Sequence, residues 1–230
     1  MTNRLELAVK YFINELQPDA LKLQKLLYFT QGISFYINGK EFFEEECEAW
    51  THGPVVPEVY HEYKGFQSNP ICINYSIPEM NAADKLILER VRDNYGKHES
   101  KYLAEMTHTQ EPWINARHGL SFDERGNEIM SKESIGKYFT ETVFQQTGQI
   151  AERLWLNEVI MKYPMKWIVA VNCGYDEEHK MFGTVRLVTD DWETAHQVSA
   201  NLIDAGNNGK VACLEGYDSR PQIGGLTLCH

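Results

Sequence analysis

Hydrophobic side chains between residues 21 and 66 follow first a helical and then a strand-like pattern. Six positions recur at the three-to-four-residue spacing of one helical face. They are Leu23, Leu26, Leu27, Thr30, Ile33 and Ile37. Gly39 suits the end of this helix, since glycine adopts a left-handed backbone without steric cost. The helix is followed by a strand-like run at 47–51, a Gly53–Pro54 turn and a helix from Pro57. Together these elements predict a compact nucleus.

Similar periodicity predicts helices on both sides of this nucleus. They cover residues 3–16, a stretch capped by Asn81, and shorter stretches capped by Ser100 and Ser131. Alternation over 71–75 predicts a short strand. We expect this strand to pair with the one before the Gly-Pro turn and to give a small β-hairpin.

Beyond residue 140 the pattern becomes strand-rich. A long helix is predicted from about residue 141 to residue 162, ending before Pro164. The elements predicted after it are strands at 165–174, 182–188, 210–216 and 222–228, and a helix from the capping residue Asp190 to Ala205. We therefore predict an α+β protein in three parts. These are a mainly helical domain with a small β-hairpin (1–140), a connecting helix (141–164) and a small β-β-α-β-β unit (165–230).

Composition and charge narrow the classes of partner. A hydrophobic fraction of 43% and an aromatic fraction of 12% are ordinary for a chain that buries a core. The formal net charge is −11, and the sequence has no basic run. Such a surface repels a phosphate backbone, so we expect no nucleic-acid partner. A basic protein is the expected partner.

The sequence also predicts a cytoplasmic location. No apolar run approaches the roughly 20 residues that a membrane-spanning helix needs. Residues 1–15 read as a charged amphipathic helix rather than a signal peptide. The five cysteines include no CxxC pair and do not suggest a disulfide framework. We expect no membrane partner, and the oligomeric state stays open.

Two histidines are candidates for chemistry. His52, in WTHGPVVP, is a possible base or ligand, and the alternative is a hydrogen bond to the backbone of the turn. His108, in THTQEPW, could face His52 in a two-histidine site. Its alternative role, with Thr107, is to cap the helix entered at Pro112. No nucleophile, HExxH motif or paired Cys/His spacing accompanies them, so the sequence predicts no catalytic residue and no metal site.

Glutamates cluster directly after the central helix. They are Glu41, Glu44, Glu45, Glu46 and Glu48. A solvated face, a surface for a basic partner and an acid–base pair are the alternatives, and nothing fixes two carboxylates at a defined separation. Neither glycine-rich segment near the C-terminus is followed by a helix, so no cofactor is predicted.

Three blocks of sequence carry a family resemblance: KLLYFTQG, EAWTHGPVVPEVY and THTQEPW. With the acidic loop between the first two, they resemble the Panacea domain over roughly residues 5–140. Members include the phage-associated protein GepA and the antitoxin SocA. The resemblance implies an antitoxin of a two-gene toxin–antitoxin system, often carried by prophages, that neutralises its toxin by direct binding.

The resemblance implies a cognate protein toxin as partner. We expect the toxin to bind a face that includes the helix 22–38 and the acidic loop. Candidate residues are Lys25, Tyr28, Gln31, Tyr36, Glu44, Glu45, Glu46, His52 and His108. One alternative is a SocA-like adaptor that delivers the toxin to a cellular protease, and another is a hydrolase or metal-dependent enzyme.

Overall fold

The structure of the protein is a computed structural model, which describes residues 1–121, 123–143, 153–207 and 210–216. The chain forms two compact units. One contains Met1–Phe35 and Glu41–Phe139, and the other contains Tyr36–Lys40 and Thr140–His230. Helices and small antiparallel sheets make the fold α+β, which confirms the predicted class.

Helices make up most of the first unit. They are α1 Asn3–Leu16, α2 Ala20–Asn38 (whose last residues group with the second unit), α3 Pro57–Tyr63, α4 Ala82–Tyr95, α5 Ser100–His108, α6 Glu111–Ala116 and α7 Lys132–Tyr138. Asn81 and Ser131 accept hydrogen bonds from backbone N–H groups three residues later, which confirms both as N-caps. The cap of α5 is Glu99, one residue before the predicted Ser100.

Helix α2 is the centre of the first unit. Every residue from Leu23 to Ser34 is buried, on all sides of the helix. The ring of Phe29 stacks on that of Tyr95 with centroids 3.8 Å apart, and a Cβ at Gly32 would overlap the Phe139 ring. The predicted buried face is therefore confirmed, and the opposite face is buried as well.

Three short strands form a sheet in the same unit. They are β1 Cys47–Trp50, β2 Gly53–Val55 and β3 Ile129–Met130, in the order β2-β1-β3. Both pairings are antiparallel, with Ala49 opposite Pro54 and Cys47 opposite Met130. A hairpin is present, but β1 pairs with β2 across a turn at residues 51–52 and not with the predicted strand at 71–75.

The prediction of a strand at 71–75 is wrong. This segment lies along the end of α1, where Ile71 N donates to Pro18 O at 3.0 Å. The Asn14 side chain accepts from Tyr75 N and donates to Tyr75 O, at 2.9 and 2.8 Å. A helix side chain thus satisfies backbone groups that the prediction assigned to a strand ladder.

The second unit contains a four-stranded antiparallel sheet in the order β4-β6-β5-β7. Its elements are β4 Arg153–Trp155, α8 Leu156–Lys162, β5 Trp167–Tyr175, β6 Met181–Thr189, α9 Trp192–Asp204 and β7 Ala212–Glu215. Helix α9 packs against β5, β6 and β7. Leu156 and Val159 of α8 share a core with Ile168 and Leu214. Three predicted strands are confirmed, and the fourth, at 222–228, lies outside the described residues.

Two predictions at the start of this unit need correction. Residues 153–155 form β4 instead of continuing the helix expected over 141–164, because Leu154 pairs with Gly183 on β6. The part of that helix at 144–152 lies outside the described residues. Helix α9 is capped by Asp191 rather than Asp190, since Thr194 N donates to its carboxylate at 2.9 Å. No helix in the described part of the chain has the length and apolar composition of a membrane span.

Candidate functional site

Two adjacent side chains of α2 bind the backbone between β2 and α3. Gln24 Oε1 accepts from Val56 N at 2.8 Å, and Lys25 Nζ donates to Pro54 O at 2.7 Å. The Val56 N–H requires an oxygen opposite it, and this fixes the orientation of the Gln24 amide. Gln24 Nε2 is buried and has no hydrogen-bond partner among the described residues.

Lys25 is fully buried, with 0% of its surface exposed. Burial lowers the pKa of its ammonium group to about 7, because the charged form loses its hydration. Gly53 makes the close approach possible, with φ at +91°. A Cβ there would lie 2.9 Å from Lys25 Cε and would overlap Thr107 Oγ1.

Two further polar residues of α2 have comparable roles. Tyr28 Oη donates to Gln110 Oε1 at 2.7 Å, and both groups are buried. Gln31 accepts from Phe42 N at 2.7 Å and donates to Phe43 O at 2.8 Å. The loops around α2 contain backbone N–H and C=O groups that no helix or sheet pairs, and these side chains form hydrogen bonds with them.

The candidate residues on α2 therefore do not form an exposed surface. Lys25, Tyr28 and Gln31 are buried in the first unit. Tyr36 is buried and belongs to the second unit, where its hydroxyl donates to Val185 O at 3.2 Å. The guanidinium of Arg186 lies 4.7 Å from the centre of its ring. In the structure these side chains have a structural role, and their direct contact with a partner stays a prediction.

The structure places His52 and His108 near one another. His52 is exposed in the turn between β1 and β2. His108 ends α5 and is partly buried, with its ring centre 4.5 Å from that of Trp113. Burial lowers the pKa of His108, and the positive charge of nearby Lys25 adds to this effect. The described residues contain no group of three His, Cys, Asp or Glu side chains placed to hold a metal ion.

The capping role expected for Thr107 and His108 is wrong. Both residues lie in the last turn of α5, and Thr107 Oγ1 donates to Ala104 O at 2.7 Å. Gln110 is the residue before α6, and its side chain makes no capping hydrogen bond. Helix α5 extends to His108, into the polar residues that were expected to form the connection to α6.

The acidic loop presents only some of its carboxylates to solvent. Glu44 and Glu46 are exposed, and Glu46 lies 3.8 Å from Lys132 Nζ. Glu45 is instead bound to the start of α1, where its carboxylate accepts from the backbone and hydroxyl groups of Thr2. Glu45 thus has a structural role, while Glu44 and Glu46 are available to a partner.

Arg117 is a structural residue that the sequence did not reveal. Only 4% of it is exposed, and it donates to Ala49 O at 3.0 Å, Ser121 O at 3.0 Å and Glu124 O at 2.6 Å. Its guanidinium carbon lies 5.0 Å from the Trp113 ring centre. Arg117 therefore joins β1 to the loop that follows α6. An arginine at a helix end in a polar stretch usually lies in solvent, so no sequence pattern identified it.

A cleft of about 910 Å³ opens beside these residues. It is lined by Gln24 of α2, by Trp50 and His52 of the hairpin, by Tyr60 of α3, and by Lys64 and Arg125. Trp50 and Tyr60 are half-buried, and their rings meet edge to face with centres 4.7 Å apart. The cleft thus combines an aromatic wall, a buried amide donor and exposed cations.

Residues 23–114 match the family model described as "Antitoxin SocA-like, Panacea domain". This part of the chain is similar to the Panacea domain. The match extends from α2 to α6 and includes Gln24, the acidic loop, both histidines and the hairpin. No curated protein and no solved structure matched the chain.

The Panacea domain match confirms the family that the three sequence blocks resemble. It supports an antitoxin role and, with it, a protein toxin as the partner. Arg117 and the strands of the second unit lie outside the matched residues.

Proposed function

We propose that the protein is the antitoxin of a toxin–antitoxin pair in the cytoplasm, and that it neutralises its toxin by stoichiometric binding. The observation that carries this proposal is the match of residues 23–114 to the Panacea domain model, whose description names an antitoxin. The first unit supports it physically. A central helix that is buried from Leu23 to Ser34 supports exposed groups at the acidic loop and the hairpin turn, and preorganised surfaces of this kind favour binding.

The proposed toxin-binding surface consists of Glu44, Glu46 and His52, which are exposed. Lys25 and Gln31 contribute indirectly, because they bind the backbone of the two connections that display these side chains. Exposed carboxylates on a chain of net charge −11 favour a basic toxin surface.

Two measurements test the proposed function: growth rescue in cells and the stoichiometry of the purified complex. The neighbouring toxin gene is induced in cells with and without this protein, and the purified pair is measured by light scattering. We expect rescue only when the protein at least equals the toxin in amount, and a complex of fixed stoichiometry. Rescue by clearly sub-stoichiometric protein would show turnover and would contradict the binding model. Rescue that disappears when a cellular protease is deleted would favour the adaptor alternative.

Charge reversal in the acidic loop is expected to slow toxin association. In Glu44→Lys/Glu46→Lys we expect the association rate to fall about tenfold or more at low salt, because steering by charge can raise association rates by orders of magnitude. The effect should shrink near physiological salt, where the screening length is about 8 Å. Stopped-flow fluorescence over a series of salt concentrations measures it.

The matched control is Glu79→Lys/Glu105→Lys, which makes the same change in net charge at two exposed positions outside the loop. Glu45 is left intact because it binds Thr2. Equal slowing in both double variants would mean that overall charge, and not the acidic loop, guides the encounter.

A further inference from the structure

The cleft beside Gln24 has the features of a built binding site. Only 2% of Gln24 is exposed, and its side chain lines the cleft. Its Oε1 is occupied by Val56 N, while Nε2 is buried without a hydrogen-bond partner among the described residues. A buried donor without a partner is unfavourable, and a small shift of the side chain toward the cleft would let an acceptor oxygen of a ligand bind it.

The walls of the cleft define the rest of the ligand. Trp50 and Tyr60 offer a half-buried aromatic surface, the kind of surface that receives an apolar anchor side chain at protein interfaces. Lys64 and Arg125 are exposed and have no ion pair among the described residues, while Asp123 adds one carboxylate. Two cations and one anion leave the cleft with one net positive charge, on a chain whose total is −11.

We propose that this cleft docks an extended segment of the toxin, with an apolar side chain against Trp50 and Tyr60 and an acceptor oxygen on Gln24 Nε2. The segment carries an acidic residue that faces Lys64 and Arg125. This inference rests on the proposed antitoxin function and assigns it a second contact, distinct from the acidic loop. The volume of about 910 Å³ lies in the range of well-formed ligand pockets and holds several side chains.

Photo-crosslinking of the full-length chain tests the position of the segment. Benzoylphenylalanine replaces Tyr60 in the cleft, or Tyr102, which is 50% exposed on α5 and does not line the cleft. Each protein is mixed with the intact toxin and irradiated. We expect a crosslink from position 60 to one short stretch of toxin that contains an acidic residue beside an apolar one, and none from position 102. A complex that forms without any crosslink from position 60 would overturn the cleft assignment.

Binding measurements with matched variants supply an independent test. Lys64→Glu/Arg125→Glu is compared with Lys97→Glu/Lys101→Glu, which reverses two exposed lysines outside the cleft. We expect at least about tenfold weaker toxin binding for the cleft pair and less than about threefold for the control, as hot-spot and peripheral positions differ by such factors. Gln24→Glu keeps the oxygen that faces Val56 N and removes the amide donor, and we expect about tenfold weaker binding. Because the new carboxylate is buried, its melting temperature should fall, and binding is compared at a temperature where both proteins are folded.

The outcomes separate the two proposals. If wild-type protein binds the toxin and all cleft variants bind equally well, the cleft assignment fails while the antitoxin proposal stands. If the wild-type chain forms no complex with the toxin, both fail together. Binding of short acidic peptides from the toxin sequence, weakened by Lys64→Glu/Arg125→Glu, would support the cleft assignment directly. Binding of free organic acids in the cleft with no effect of the variants on the toxin would overturn it.

Discussion

Arg117→Ala is expected to lower the free energy of unfolding by about 3 kcal/mol or more, the largest single effect that we predict. The side chain satisfies three carbonyl oxygens, on Ala49, Ser121 and Glu124, from a position that is almost completely buried. A buried acceptor that loses its donor costs roughly 1–3 kcal/mol, which applies to Ala49 O, and the partly buried bonds to Ser121 O and Glu124 O are lost with it. Chemical denaturation followed by circular dichroism measures the change.

Two further variants make the test of Arg117 specific. Arg125→Ala removes an exposed arginine of the same loop and is expected to change stability by less than about 0.5 kcal/mol. Arg117→Lys keeps the charge, but a single ammonium lacks the planar fork that reaches several carbonyls, so most of the loss should remain. Equal stability of Arg117→Ala and Arg125→Ala would contradict the structural role.

The loop bound by Arg117 also forms one wall of the cleft. Arg125 and Gly126 of that wall follow directly after Glu124, whose carbonyl Arg117 binds. A partial loss of the loop in Arg117→Ala should therefore weaken toxin binding through the cleft as well as stability. A comparison with Arg125→Glu separates the two effects, since that variant should weaken binding without changing stability.

Sequence periodicity predicted the elements whose side chains repeat at one spacing. The buried face of α2 and the caps Asn81 and Ser131 are confirmed, as are the strands β5, β6 and β7. Each of these is specified locally, by residues within one or two turns or along one strand. Strand β4 was missed because its pairing with β6 depends on residues far along the chain.

The burial of several candidate residues was not predicted, because polar residues were expected to face solvent. Lys25 and Gln31 are fully buried on α2, where they satisfy the backbone of distant connections. A signal was present, since the apolar residues of α2 are not confined to one side of the helix, and a helix of this kind is buried on every side. In that setting a polar side chain binds protein groups rather than a partner. The exposed carboxylates of Glu44 and Glu46 agree with the expectation of a solvent-facing acidic loop.

Lys25→Met is expected to remove a pH dependence from the stability of the protein. Burial lowers the pKa of Lys25 from 10.5 to about 7 in the folded chain. Between these two values the unfolded chain holds a proton that the folded chain has released, so the free energy of unfolding rises with pH. This contribution is fully present above about pH 10.5 and is lost as the pH falls through about 7, with a slope of up to about 1.4 kcal/mol per pH unit.

Urea unfolding of wild type and Lys25→Met at several pH values measures this contribution. Methionine keeps an apolar stem of similar length but does not titrate, and it leaves Pro54 O without its donor. The advantage of wild type over the variant should therefore grow by about 1.4 kcal/mol per pH unit above about pH 7 and be constant well below it. Lys101→Met, at an exposed position, matches the change in net charge. If wild type and Lys25→Met give parallel curves from about pH 6 to about pH 10, Lys25 keeps its proton in the folded chain. The buried contact with Pro54 O would then be that of a charged ammonium, and the lowered pKa would be refuted.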